Sequence, residues 1–195
     1  PGYYDNLRVY NYAFSNQNRM DLLTYELNEG YRPNIKAKYE FNANAIGTDS
    51  FGNFNAVAVN NPQLDTDRHG NPNSALKVST DQNSNGIRIP YLNEYFGKNN
   101  GSIAFWFKGD YTANNPISSF VPIVYLPNHG TLTSKNALAV GYRNVGGVNT
   151  FITSNTMSNN QLASAVKNNA TVGDWQHCVV TFDNSLMKMY LNGVA

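Results

Sequence analysis

The stretch Trp175 to Gly193, WQHCVVTFDNSLMKMYLNG, sets two strand-forming runs on either side of a short polar turn. Trp175–Phe182 and Met187–Leu191 are rich in β-branched and aromatic residues, and the turn Asp183-Asn184-Ser185 suits a hairpin. In the first run Trp175, His177, Val179 and Thr181 alternate with Gln176, Cys178, Val180 and Phe182. The second set is largely apolar, which describes a strand covered on both faces. In the second run Met187, Met189 and Leu191 share a face, and Lys188, Tyr190 and Asn192 take the other. That is a half-buried strand.

The same pattern recurs along the chain. Ser102–Lys108 sets Ile103, Phe105 and Phe107 against Ala104 and Trp106, an interior strand apolar on both sides. Ile35–Phe41, Ala75–Ser79, Gly86–Ile89, Val121–Leu126, Ala137–Tyr142 and Thr150–Thr153 read as further strands, with a brief one at Val57 and Val59. Tyr3 to Tyr10 alternates as well. Asn60–Ser74 reads as turns, and Asn155–Thr171 as a short helix or irregular loop. Many short strands without βαβ alternation make an all-β protein. The exception is Asn16–Leu27, where Ser15 offers an N-cap, Met20, Leu23 and Leu27 form one face, and Gly30 and Pro33 end a short helix.

Composition narrows the function classes. A chain of 195 residues suffices for one domain with a sizeable core. Its charged fraction of 14% and net charge of +1 provide no basic field for nucleic acid and no polybasic membrane anchor. No apolar run is long enough to span a bilayer. The single cysteine, Cys178, lies inside a strand pattern and reads as a small buried hydrophobe. Asparagine makes up 32 residues, many in loops, where it tolerates turn geometry. Pro1 in place of Met suggests a processed or excised chain.

The pattern W-x-H-x-V-x-T-x-D, a turn, then Y-L-N-G resembles the signature hairpin of laminin-G-like domains in the concanavalin A-like lectin/glucanase superfamily. Tyr39-Glu40-Phe41 with its Asn/Gly-rich loop, Thr66 to Leu76 (TDRHGNPNSAL) and Ser102 to Lys108 resemble bacterial members, in family order. The resemblance implies a jelly-roll sandwich of two antiparallel sheets over 37–195, preceded by the helix and linker of 16–36. Tyr4 to Ser15 (YDNLRVYNYAFS) is similar to the family's closing strand, which normally comes last. Residues 1–15 therefore have three possible placements: in their own sandwich, in a neighbour's, or in a preceding domain. In a neighbour's, Tyr3, Tyr4, Leu7, Val9 and Tyr10 would be the self-association residues, donated as a strand to an open sheet edge.

Catalysis is not expected. Glucanases of the superfamily use carboxylates alternating on one strand, and Glu26, Glu29, Glu40 and Glu94 form no such set. His69, His129 and His177 lack ligand-like spacing, and His177 is expected to pack or make a structural hydrogen bond. Related folds hold Ca²⁺ in edge loops through Asp and Asn oxygens, which points to Asp49 and Asn53, with Asp67 second. The same residues also suit plain Asx turns. For sugar stacking the loop-side tyrosines Tyr91, Tyr95, Tyr125 and Tyr142 are the candidates, while Trp106 and Trp175 read as core. The resemblance implies a secreted or cell-surface bacterial recognition module whose partner is a glycan or a cell-surface protein, with no nucleic acid and no membrane span. The alternative is a structural subunit that builds a head-to-tail homopolymer through its N-terminal strand.

Overall fold

The computed structural model describes residues 2–10, 13, 35–44, 46–51, 54–78, 85–89, 100–109, 121–126, 138–145, 148–156, 162–168, 173–183 and 186–194. Within 121–168 the description is of backbone pairing. The described residues form thirteen strands and no helix. The helix expected at Asn16–Leu27 lies outside them.

The strands are β1 (Gly2–Tyr10), β2 (Ile35–Tyr39), β3 (Val57–Val59), β4 (Gln63–Asp65), β5 (Ala75–Val78), β6 (Gly86–Arg88) and β7 (Asn100–Gly109). They continue with β8 (Val121–Leu126), β9 (Leu138–Val145), β10 (Val148–Thr156), β11 (Leu162–Asn168), β12 (Trp175–Asp183) and β13 (Leu186–Leu191). A seven-stranded sheet runs β13-β12-β7-β1-β5-β4, with β2 sharing the β5 edge of β1. A four-stranded meander holds β8 to β11, and β3 pairs with β6. Every pairing is antiparallel. β11 approaches β13, bringing the two larger sheets together on that side.

Two elements differ from the sequence reading. β4 lies within the stretch expected to be turns, and β11 replaces the expected helix or loop in Asn155–Thr171. Neither has strong intrinsic strand character. β11 pairs with β10 through seven consecutive positions, and that pairing overrides local preference.

The alternation of residues along each strand decides the core. Ile103, Phe105 and Phe107 of β7, Cys178 and Val180 of β12, and Met189 and Leu191 of β13 are buried on one face. Val9 of β1, Leu76 of β5, and Ala37 and Tyr39 of β2 join them. Phe41, Ile46, Phe54 and Ala56 from the β2–β3 connection, with Ile87 and Ile89 around β6, cover this face. Each large side chain buried there contributes about 1.5–3 kcal/mol relative to exposure.

The connection is shaped by Asp49. One carboxylate oxygen accepts the Lys38 N–H at 2.9 Å and the Phe51 N–H at 3.0 Å. The other accepts the Phe54 N–H at 3.3 Å, while the Tyr39 hydroxyl donates to the Phe54 carbonyl at 2.5 Å. A buried carboxylate (6% exposed) surrounded by N–H donors holds 49–54 against β2. Burial, together with the Asp49 charge, pushes the Tyr39 hydroxyl well above the usual phenol range, so it stays a donor.

β1 lies inside the sheet. Its residues 2–10 pair with β7 on one side, while 2–4 pair with β5 and 7–10 with β2 on the other. The strand resembling the family's closing strand is thus an interior strand of this chain's own sheet.

Candidate ligand-binding face

The second face of the large sheet carries the chemistry. Directly paired residues of adjacent antiparallel strands project their side chains to the same face, so register groups them into rows. The first row crosses five strands: Gln63, Lys77, Tyr3, Lys108 and Trp175. The second contains Asp5, Trp106 and His177, and the third Arg8, Ala104, Val179 and Tyr190.

A β-bulge makes this possible. Asp5 pairs with Trp106 and Arg8 with Ala104, so Asn6 and Leu7 together oppose Phe105. In a regular strand, positions 5 and 8 face opposite ways. The extra residue returns Arg8 to the side of Asp5 and leaves Leu7 against the core.

Burial deepens from row to row. In the third, Arg8, Ala104, Val179 and Tyr190 are all buried. Arg68 covers the second: its guanidinium contacts the Asp5 carboxylate and lies 4.9 Å from the centre of the Trp106 ring. The Trp106 ring in turn lies 5.0 Å from the His177 imidazole. In the first row Tyr3, Lys108 and Trp175 are half-buried and Lys77 and Gln63 exposed, so here the face meets solvent.

Asp67 places Arg68. Its carboxylate accepts the His69 and Asn71 N–H groups, both at 2.8 Å, and the Asn71 amide at 2.9 Å. A backbone bond from the Asp67 N–H to the Asn71 carbonyl at 3.0 Å closes the loop. Burial opposes ionisation of Asp67, but these hydrogen bonds outweigh it and hold its carboxyl below the usual range. The T-D-R-H-G-N stretch is therefore a clamp that presents one arginine.

The second row is electrostatically strained. Burial pushes Asp5 up to about 6, overcoming the Arg68 guanidinium, and the neighbouring Asp67 adds to the rise. Burial also pushes His177 down to about 3, assisted by the charges of Arg8 and Arg68, so the imidazole is neutral. The His177 backbone N–H donates to the Asn192 side chain at 2.8 Å. Burial raises the Cys178 thiol well above its usual range, leaving an inert apolar group.

The first row is built from cations over rings. Lys108 Nζ lies 4.8 Å from the centre of the Tyr3 ring and 5.8 Å from that of Trp175. The two rings are 6.5 Å apart and tilted by 58°. On the far side Lys77 Nζ is 5.4 Å from the Tyr3 ring and 3.3 Å from the Asp65 carboxylate. The Asp65 hydrogen bond holds Lys77 above its ordinary range, and the Thr66 N–H holds Asp65 below its own.

The residues singled out from sequence fall in different places. Tyr91, Tyr95 and Asn53 lie outside the described residues. Tyr125 pairs with Ala139 and Tyr142 with Val121 in the four-stranded sheet. Asp49 and Asp67 sit in separate loops, and both are engaged by N–H donors. Among the described residues no group of three or more His, Cys, Asp or Glu could hold a metal ion. Tyr3, Tyr4, Leu7, Val9 and Tyr10 are paired within the chain. The tryptophans correct the sequence reading: Trp106 and Trp175 are outside both buried clusters and lie on the face opposite the main core. Alternation within one strand cannot tell which covered face is core, so the strand motifs concealed them. The row of Lys77, Tyr3, Lys108 and Trp175 was missed because its members come from four distant segments.

No curated protein and no solved structure matches the chain. A family model described as the Concanavalin A-like lectin/glucanases superfamily, of laminin G type, matches residues 81–195. The match takes in β6 to β13; of the strands before it, β1, β2, β4 and β5 complete the large sheet with β7, β12 and β13, and β3 pairs with β6. With more than half its length matched, and strands that form curled antiparallel sheets, the chain belongs to the concanavalin A-like lectin/glucanases superfamily.

Proposed function

We propose that this chain is a non-catalytic recognition module acting outside a bacterial cell, and that it binds glycan, or a glycan-bearing surface protein, across its first row. The observation that carries this reading is the half-exposed pair Tyr3 and Trp175, flanking Lys108 where the sheet face meets solvent. Aromatic faces offer the apolar surface on which pyranose C–H groups stack. Three carboxylates beside the face are occupied, Asp5 by Arg68, Asp65 by Lys77 and Asp67 by its own loop. That suits binding better than acid–base chemistry.

A glycan array with the wild-type chain, Tyr3→Ala and Trp175→Ala tests this. Each variant should lose at least about fivefold in affinity for any bound glycan, since a stacking ring contributes on the order of 1 kcal/mol or more. Unchanged binding by both variants would overturn the reading. Binding should persist in EDTA, because the Asp49 and Asp67 oxygens already accept N–H groups.

A second reading, self-assembly by β1 exchange, draws on the placement of β1. This strand fills an interior slot of the sheet, so a neighbour's β1 would reproduce each pairing. Assemblies in light scattering that disappear on deletion of residues 1–15 would favour this reading, and a concentration-independent monomer would end it.

A further inference from the structure

We infer that the ligand of the first row is an acidic saccharide, a pyranoside chain carrying one carboxylate per sugar, with Lys108 receiving a carboxylate. This rests on the reading of the row as a glycan site and names the class of glycan.

The inference comes from what Lys108 does in the free protein. Its ammonium lies against both the Tyr3 and Trp175 rings, at 4.8 and 5.8 Å from their centres. Among the described residues it makes no ion pair. Lys77, on the other side of Tyr3, has Asp65, and Arg68 has Asp5. Among the described residues Lys108 is thus the cation of the row with no carboxylate in contact, and the charge of Asp65, which Lys77 holds, reaches it only from beyond ion-pair distance.

The ring faces are therefore occupied before any sugar arrives. A neutral saccharide stacking on Tyr3 and Trp175 must displace the ammonium from both rings and offers it only uncharged hydroxyl oxygens in return, which are weaker partners than a carboxylate. A saccharide with a carboxylate on the sugar ring does both jobs at once. Its C–H face takes the place of the ammonium on the aromatic rings, and its carboxylate receives the ammonium in a charge-assisted hydrogen bond. One ammonium with no carboxylate in contact matches one carboxylate on the sugar it meets. A densely sulfated chain needs more cations than the row offers, because Lys77 is already engaged.

The test compares three probes by titration calorimetry with the full chain: oligogalacturonate, a neutral galacto-oligosaccharide and a heparin-derived oligosaccharide. The expected result is that oligogalacturonate binds at least about tenfold more tightly than the neutral probe, and more weakly as salt is raised. Lys108→Gln should abolish that preference, lowering uronide affinity while neutral affinity stays the same or rises. Lys108→Arg should retain it, and near-wild-type melting of both variants confirms that the fold is intact. Equal binding of the acidic and neutral probes, or a preference that survives Lys108→Gln, overturns the inference and leaves the glycan reading standing. Tighter binding of the heparin-derived probe overturns the carboxylate assignment. Binding of none of the three overturns both.

Discussion

At the scale of single residues, backbone geometry accounts for part of the unusual composition. The non-glycine residues at positive φ among those described are Asn60, Asn61, Asn73 and Asn192, all asparagines. Asparagine tolerates this region better than other side chains. Asn192 and Gly193 both have positive φ, and Leu191 and Val194 exchange backbone hydrogen bonds around them, as in a tight two-residue hairpin turn. Gly47 is more constrained. It has φ +92°, and a Cβ there would lie 2.6 Å from the Ala56 carbonyl oxygen. Gly47→Ala should destabilise the fold by roughly 1–3 kcal/mol, a fall of several degrees in melting temperature. The buried titrating pair supplies a second prediction. Asp5 is raised to about 6, so its contribution is full below its unfolded value near 4 and is lost as pH rises through 6. His177 is lowered to about 3, so its contribution is full above its unfolded value near 6.5 and is lost as pH falls toward 3. Relative to Asp5→Asn, the wild type should therefore lose stability between pH 4 and 6. Relative to His177→Gln, it should gain stability from pH 3 to 6.5. Melting curves across this range read both slopes, and parallel profiles would contradict the assignments.

At the scale of elements, strand existence and face were legible where side chains alternate strongly. β7 and β12 follow the sequence reading almost residue for residue, because Ile103, Phe105 and Phe107 and then Cys178 and Val180 mark one buried side. β4 and β11 were not legible, since neither has a pattern and both depend on a partner strand. The bulge in β1 was equally hidden. Nothing in D-N-L-R announces that Asp5 and Arg8 share a face, which follows only from the β7 register. Asp67 was visible as a candidate ligand, but its role in positioning Arg68 required the fold. The pair that Arg68 makes with Asp5 is itself testable, its side chains being 11% and 8% exposed. Arg68→Ala leaves a buried carboxylate without its partner and should cost about 3–5 kcal/mol, whereas the double variant Asp5→Asn/Arg68→Met should cost clearly less. A double-mutant cycle measured by denaturant unfolding checks this, and additive effects would refute the coupling.

At the scale of the whole molecule, the superfamily was legible because its hairpin lies in one continuous stretch, within the residues that the family model matches. The binding row was not, because it draws on β5, β1, β7 and β12. The two are linked through β1. Without it, β7 has no neighbour on that side, Tyr3 and Asp5 are absent, and the aromatic row is reduced to Trp175. The account therefore depends on β1 being an interior strand of its own chain. Hydrogen–deuterium exchange by mass spectrometry, on a sample shown by light scattering to be monomeric, measures this directly. Peptides covering Gly2–Tyr10 should exchange as slowly as those covering Asn100–Gly109, because the two strands are hydrogen-bonded and open together. Fast exchange across β1 in a monomer whose β7 remains protected would contradict it, and with it the binding row.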